Sequence, residues 1–277
     1  MTNSDHPEMG SYVDAGGIKT NYLEAGSGPP VVLVHGSGPG VTAYANWRLT
    51  IPGLAPRFHV LAPDMAGFGF SDKPGGVADM GAWVGQLTGF LDALGIECAS
   101  VVGNSFGGGI GIRLAVDHPE RVERLVLMGS VGISFPITEG LDSVWGYQPS
   151  IENMRRIVGY FAYSRELVND ELAEVRYRAA LAPGVQEAFS SMFPAPRQRW
   201  VEAMATPGEQ IRAIPHETLI IHGREDKVIP LDNAYRLLGL IERSELHVFG
   251  RCGHWSQIEW ADDFNALLGR FLGRDAR

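Results

Sequence analysis

Val101-Val102-Gly103-Asn104-Ser105-Phe106-Gly107-Gly108-Gly109 runs an apolar strand into a Gly-x-Ser-x-Gly turn and then into a helix. A reversal this sharp strains the backbone at the serine, and glycines on either side let strand and helix approach without a Cβ clash. The helix that follows aims its unpaired N–H groups at the same spot. Ser105 therefore sits where a serine becomes an exposed nucleophile, and the chain reads as an enzyme.

Short apolar or β-branched runs recur on both sides of this segment, at Val31 to Val34, Val60 to Ala62, Val101-Val102, Leu125 to Met128, Leu219 to Ile221 and Leu246 to Phe249. Such runs suit parallel strands covered on both faces. Helix-like segments such as Trp83 to Leu94 and Ile110 to Val116 lie between several of them, which predicts an α/β sheet. Tyr12 to Leu23, with Ala15-Gly16-Gly17 inside, predicts an antiparallel hairpin on the sheet edge. The alternation stops after Met128, and residues 134–211 carry helical, aromatic and Arg-containing segments, including Ser150 to Phe161 and Glu166 to Ala180, without a strand pattern. A block of about 75 residues is too long for a connection and predicts a helical cap over a core formed by 1–133 and 212–277.

Composition narrows the function classes. The chain has 277 residues, 45% hydrophobic and 20% charged, enough for one catalytic core with an insertion. A net charge of -9 offers no basic stripe for nucleic acid or an anionic membrane. Met1 to Glu8 has neither a cationic start nor an apolar stretch, and no apolar run approaches a membrane span, so a cytoplasmic protein is expected. Two cysteines, Cys98 and Cys252, make neither a disulfide framework nor a metal cluster, and no cofactor or metal is expected.

A serine hydroxyl needs a base, and the base needs a third group to hold its tautomer. Of eight histidines, His254 is best placed, on a loop just past the Leu246 to Phe249 strand. Asp226 ends Leu219-Ile220-Ile221-His222-Gly223-Arg224-Glu225-Asp226, again just past a strand. Glu225 is the rival carboxylate, but neighbours near a strand end point apart, and Asp226 is favoured. The order Ser, Asp, His is that of the α/β-hydrolase fold, a mostly parallel sheet here carrying an inserted helical cap. Oxyanion donors are expected from the N–H of Phe106 and from Ser37 or Gly38 in His35-Gly36-Ser37-Gly38-Pro39-Gly40.

Three segments carry a closer resemblance: His35 to Val41 with Asn46-Trp47, Gly103-Asn104-Ser105-Phe106-Gly107-Gly108, and Cys252-Gly253-His254-Trp255. Nearly the whole chain resembles the meta-cleavage product hydrolases, α/β-hydrolases that split a carbon–carbon bond. Val144-Trp145-Gly146-Tyr147 and Met192 to Trp200 are similar to the members acting on 2-hydroxymuconic semialdehyde and its alkyl relatives. The resemblance implies a small-molecule substrate, a 2-hydroxy-6-oxohexa-2,4-dienoate anion, with Arg176 on a cap helix as its carboxylate partner and Asn46 and Asn104 at positions that contact the carboxylate and enol end. A guanidinium fork suits that task. Arg178, two residues on, points elsewhere. Trp145, Trp255, Phe135 and Ile137 are candidates for the apolar wall around the C6 substituent, and a homodimer or larger assembly is implied. The resemblance further implies protonation of the dienol at carbon, managed by His254, before attack at C6.

Two other readings use the same residues. A serine esterase or lactonase shares attack on a carbonyl, and a ligand receptor would keep the triad but signal by cap movement. The intact triad and oxyanion loop argue against the receptor, and Asn104 with the cap arginine argues for a carboxylated substrate.

Overall fold

The computed structural model describes residues 6–74 and 79–274; the start of the N-terminal stretch, Met1 to Asp5, lies outside the described residues. Eight strands, β1 (Ser11–Asp14), β2 (Lys19–Ala25), β3 (Pro30–Val34), β4 (His59–Pro63), β5 (Ala99–Asn104), β6 (Val122–Met128), β7 (Thr218–Gly223) and β8 (Ser244–Phe249), form one sheet in the order β1-β2-β4-β3-β5-β6-β7-β8. Only β2 runs against its neighbours; from β4 to β8 every pairing is parallel. The predicted runs all fall on strands, and the expected edge hairpin turns through Gly16 and Gly17, at φ 67° and 90°. This is the α/β-hydrolase architecture.

Alternation along each strand sorts side chains between two cores. Val32, Val34, Val101, Leu125, Leu127 and Ile220 meet α3 (Met80–Ala93) and α4 (Phe106–Asp117) on one face. Leu33, Val102, Val126, Met128, Leu219 and Ile221 meet α1 (Ala43–Trp47), α2 (Ile51–Leu54) and the C-terminal α13 (Ala261–Leu272) on the other. In the central strands, such as β5 and β7, both faces are buried, so these read as continuous apolar runs. Two further helices, α11 (Leu231–Leu240) and α12 (Ser256–Glu259), flank β8 in the chain. None of the described helices is long and apolar enough to cross a membrane.

Between β6 and β7 the described chain forms helices only: α5 (Glu139–Trp145), α6 (Ile151–Phe161), α7 (Asp170–Ala180), α8 (Val185–Met192), α9 (Gln198–Ala203) and α10 (Gly208–Arg212). Thr138, Ser150 and Asn169 cap α5, α6 and α7 by accepting a backbone N–H from three residues on. The helix expected from Glu166 therefore starts later, because the Asn169 side chain takes Leu172 N–H at 2.8 Å and fixes the first turn there. The two stems of the insertion meet where Thr206 N–H donates to the Gly132 carbonyl at 2.9 Å.

The crossing of α4 over β5 and β3 fixes where the Ser105 turn stands. A Cβ at Gly103 would lie 2.3 Å from the Gly107 carbonyl oxygen, backbone that cannot move without shifting α4. Gly103→Ala is expected to destabilise the protein by about 1–3 kcal/mol, the usual overpacking range. Chemical denaturation checks it, and an unchanged midpoint contradicts the close crossing.

Candidate active site

Ser105 separates the last residue of β5 from the first of α4 at φ 53° and ψ -111°, one of two described non-glycine residues with positive φ. Such backbone costs roughly 1–3 kcal/mol and persists only where its surroundings enforce it. Here they do: Ser105 N–H donates to the Met128 carbonyl at 2.8 Å, and the Ser105 carbonyl accepts from Gly108 and Val131 N–H at 3.0 and 3.2 Å. The loop after β3 passes directly over this turn, since a Cβ at Gly36 would lie 3.4 Å from Ser105 Cβ and 2.7 Å from Asn104 Oδ1. Among the described residues, the N–H groups of Ser37, Gly38 and Phe106 find no acceptor. Three candidate oxyanion donors thus stand unused around one serine.

His254 Nδ1 lies 2.7 Å from Asp226 Oδ2. A buried carboxylate oxygen accepts there, so Nδ1 carries the proton and Nε2 keeps its lone pair. The other carboxylate oxygen accepts from Val228 and Ile229 N–H at 2.7 and 2.9 Å. Burial alone would raise the Asp226 carboxyl, but the charge and hydrogen bond of His254, with help from His222 and Ile229 N–H, hold it below the usual range. His222 Nε2 donates to the Ile229 carbonyl at 3.0 Å and stands 3.4 Å from Asp226 Oδ2. Glu225 points away and binds Cys252 N–H and Arg224, so the neighbouring carboxylates part as adjacent strand-end residues do. Ser105 and His254 converge at the end of β6: the serine holds the Met128 carbonyl, and a side chain at Gly129 would meet the imidazole at 3.1 Å.

Arg176 projects from α7 half-buried, its guanidinium 5.7 Å over the Trp255 ring. It makes no hydrogen bond or ion pair among the described residues, whereas Arg178 pairs with Glu174 at 3.0 Å on the exposed face. Burial, then the like charge of Arg48, pulls the Arg176 pKa down to about 10, against a small opposing effect of Glu8, which still leaves a cation at neutral pH. A cavity of about 340 Å³ is lined by Arg176, Asn46, Trp255, Arg48, Glu8 and Gln257, among others. Asn46 Oδ1 accepts Gly36 N–H at 3.3 Å, which orients the amide and leaves Nδ2 without a partner. A narrow gap of about 10 Å³ at Gly38 and Pro39 shares Arg176 and Trp255 with the cavity and is also lined by Phe161.

Not every expected residue lines that cavity. Ser105 and His254 lie outside it. Asn104 is buried, with Nδ2 on the Met128 carbonyl at 3.4 Å. Trp145 stacks on Phe193 at 4.5 Å and donates Nε1–H to Ser37 Oγ at 2.9 Å, which supports the oxyanion loop rather than walling the cavity. Phe135 and Ile137 are tied to the Gln198 amide, away from the cavity. Conversely, Arg48, Glu8 and Gln257 line it without having been expected. Gln257 lies three residues past His254, and that proximity in the chain is a signal; Glu8 belongs to an N-terminal stretch that offers none.

Comparison with known proteins agrees with this fold. A family model described as alpha/beta hydrolase fold matches residues 29–261. The chain is 59% identical over 267 residues to a 2-hydroxymuconate semialdehyde hydrolase of Pseudomonas sp. (strain CF600), covering 96% of this chain and 94% of that protein. It is 58% identical over 276 residues to a 2-hydroxy-6-oxo-2,4-heptadienoate hydrolase of Pseudomonas putida (strain F1), covering 99% and 100%. A meta-cleavage product hydrolase from Pseudomonas fluorescens IP01, solved as a serine-to-alanine mutant with acetates, superposes with a TM-score of 0.95 at 57% identity over 96% of this chain and 98% of that one.

One histidine under the site sets a pH dependence. His35 is fully buried, accepts Met65 N–H on Nε2 at 2.9 Å and donates from Nδ1 to the Gly36 carbonyl at 2.8 Å, so it is neutral; burial lowers its pKa to about 4. The unfolded chain takes up the His35 proton first, so its contribution is complete above pH about 6.5 and fades as pH falls toward 4, worth on the order of 3 kcal/mol. Asp64, whose carboxyl burial pushes up to about 6, acts in the opposite sense over much of that window, so the test is a difference between proteins. His35→Gln is expected to be less stable than the parent at pH 7, with the gap narrowing toward pH 4. Melting curves across that range check it, and a constant gap contradicts it.

Proposed function

Because the chain belongs to the alpha/beta hydrolase family, and within it to the meta-cleavage product hydrolases, we propose that it hydrolyses the C5–C6 bond of 2-hydroxy-6-oxohexa-2,4-dienoates, with 2-hydroxymuconic semialdehyde or a short 6-alkyl analogue as substrate. The observation that carries the reading is the unpaired Arg176 cation in a cavity next to a Ser105, His254 and Asp226 cluster. The substrate carboxylate takes Arg176 and the free amide N–H₂ of Asn46, which threads the dienoate past Gly38 toward Ser105. Residues 134–211 act as the cap that holds it.

His254 manages the proton that converts the dienol to its keto form by protonation at C5. With C2 now a carbonyl, C5 can accept the bonding pair when C5–C6 breaks. His254 then takes the proton of the Ser105 hydroxyl, or of a water that Ser105 orients, as this oxygen adds to C6. Phe106 N–H and Ser37 or Gly38 N–H receive the oxyanion, each such donor being worth about 10²–10³ in rate. Collapse breaks C5–C6, and one water consumed overall gives 2-hydroxypenta-2,4-dienoate and formate or a short carboxylic acid. Asp226 keeps Nδ1 protonated throughout, so Nε2 faces the reaction as base. A cytoplasmic location and a homodimer or larger assembly belong to the same proposal. An esterase of this fold would need the hydroxyl and the oxyanion donors but has no use for the Arg176 cation.

Ser105→Ala and His254→Ala are each expected to lower kcat by at least about 10³, because triad members act as a unit. Loss of the yellow dienolate absorbance reads this directly, and near-normal turnover in either variant refutes the assignment. Arg176→Ala should raise KM for the dienoate by about tenfold or more, the effect of losing a charge-assisted bond, while sparing neutral esters. Equal effects on both substrate classes would put Arg176 outside the anion site.

A further inference from the structure

The loop that carries His254 has no regular structure of its own, and Arg251 at its start sits at φ 53°. Its four N–H groups from Cys252 to Trp255 are all given to acceptors outside it. Cys252 donates to Glu225 Oε2 at 2.9 Å, and Gly253 donates to Glu259 Oε1 at 2.7 Å. His254 and Trp255 both donate to the Phe161 carbonyl at the end of α6, at 2.7 and 3.2 Å. The Phe161 ring stacks on Trp255 at 4.8 Å and 11° and lies 5.7 Å from the His254 ring. Just beyond Phe161 the inserted chain returns to the same carboxylate: Tyr163 and Ser164 N–H donate to Glu259 Oε2 at 2.9 and 2.8 Å.

We propose that Glu259 is a positioning residue for His254, its carboxylate stapling residues 163 and 164 of the helical insertion to Gly253 so that the insertion and the imidazole are set together. The inference rests on the reading of His254 as the base. Three N–H donors arriving from two chain segments need two acceptor oxygens. Glutamine offers one, and its NH₂ would face a donor. Aspartate is one methylene too short to reach both segments. The staple explains why a carboxylate that touches no reacting atom stands at the end of α12: it fixes the backbone on either side of the Phe161 carbonyl, which in turn carries His254. Displacing the imidazole by a fraction of its length is enough to lose turnover, since misplacement by about 1 Å can cost 10²-fold.

The experiment compares Glu259→Gln with the parent for kcat, for melting temperature, and for dienoate binding in a Ser105→Ala background. A fall in kcat of about 10–100-fold is expected, persisting well below the melting temperature, with dienoate affinity kept within about threefold. The proposal is overturned by unchanged kcat, by a loss that disappears on cooling, or by a loss matched in dienoate affinity. Should Glu259→Gln fail to fold, Glu259→Asp is read by the same criteria. His254→Ala separates the two levels: if it abolishes turnover while Glu259→Gln does not change kcat, the staple alone fails, and if His254→Ala retains turnover, the base assignment fails as well.

Discussion

A carboxylate sealed from water must be surrounded by donors, and the Asp226 side chain, 1% exposed, is the point to which the rest of the site is tied. Two of its donors are backbone N–H groups from its own turn, which fix the carboxylate relative to the end of β7. The third is the imidazole of His254, delivered from past the end of β8. Parallel pairing of β7 with β8 in register makes these two loops leave the sheet at the same level, so the meeting of carboxylate and imidazole follows from strand pairing and not from loop chance. The same logic places Ser105, two strands away at the end of β5, where α4 and the glycine-lined crossing turn its backbone toward that edge.

Electrostatics then divides the histidines. His35 and His222 are buried with backbone carbonyls as acceptors, and burial pulls both below the ordinary imidazole range, so they stay neutral and structural. His254 differs from both in that its Nδ1 meets a buried carboxylate, Asp226 Oδ2, at 2.7 Å. The carboxylate's charge favours the imidazolium that forms whenever Nε2 takes a proton, and the Nδ1 bond keeps the ring from flipping.

Much of this was legible in the sequence because Ser105, Asp226 and His254 each lie on the segment leaving the end of a strand, and apolar runs mark strands well. Ser105, Asp226 and His254 needed only strand ends and residue chemistry to be singled out. Trp145 illustrates the limit: an aromatic on a helix reads the same whether it lines a cavity or fills a core, and only the Phe193 stack and the Ser37 hydroxyl show which partner it has. The start of α7 was displaced for a similar reason, since Glu166 and Asn169 both suit a helix beginning and only the cap hydrogen bond chooses between them. Glu259 was invisible, because its partners at Tyr163 and Ser164 lie 96 and 95 residues away in the chain.

The helical insertion brings the one element that the triad itself does not supply, a cation held without a partner. A half-buried guanidinium with no hydrogen-bonded carboxylate is an unfavourable arrangement in the free protein, since burial penalises its charge and Arg48 repels it, against a small opposing effect of Glu8. A neutral substrate would leave that imbalance in place. Under the proposed function a dienoate would offset it, and because Arg176 stands on α7 whereas Asn46 stands on α1, its carboxylate would draw the insertion and the core onto one ligand. In that proposed complex, charge at one end of the substrate would be converted into position at the other, where Gly38 and Phe106 have N–H groups free to meet a carbonyl some bonds away.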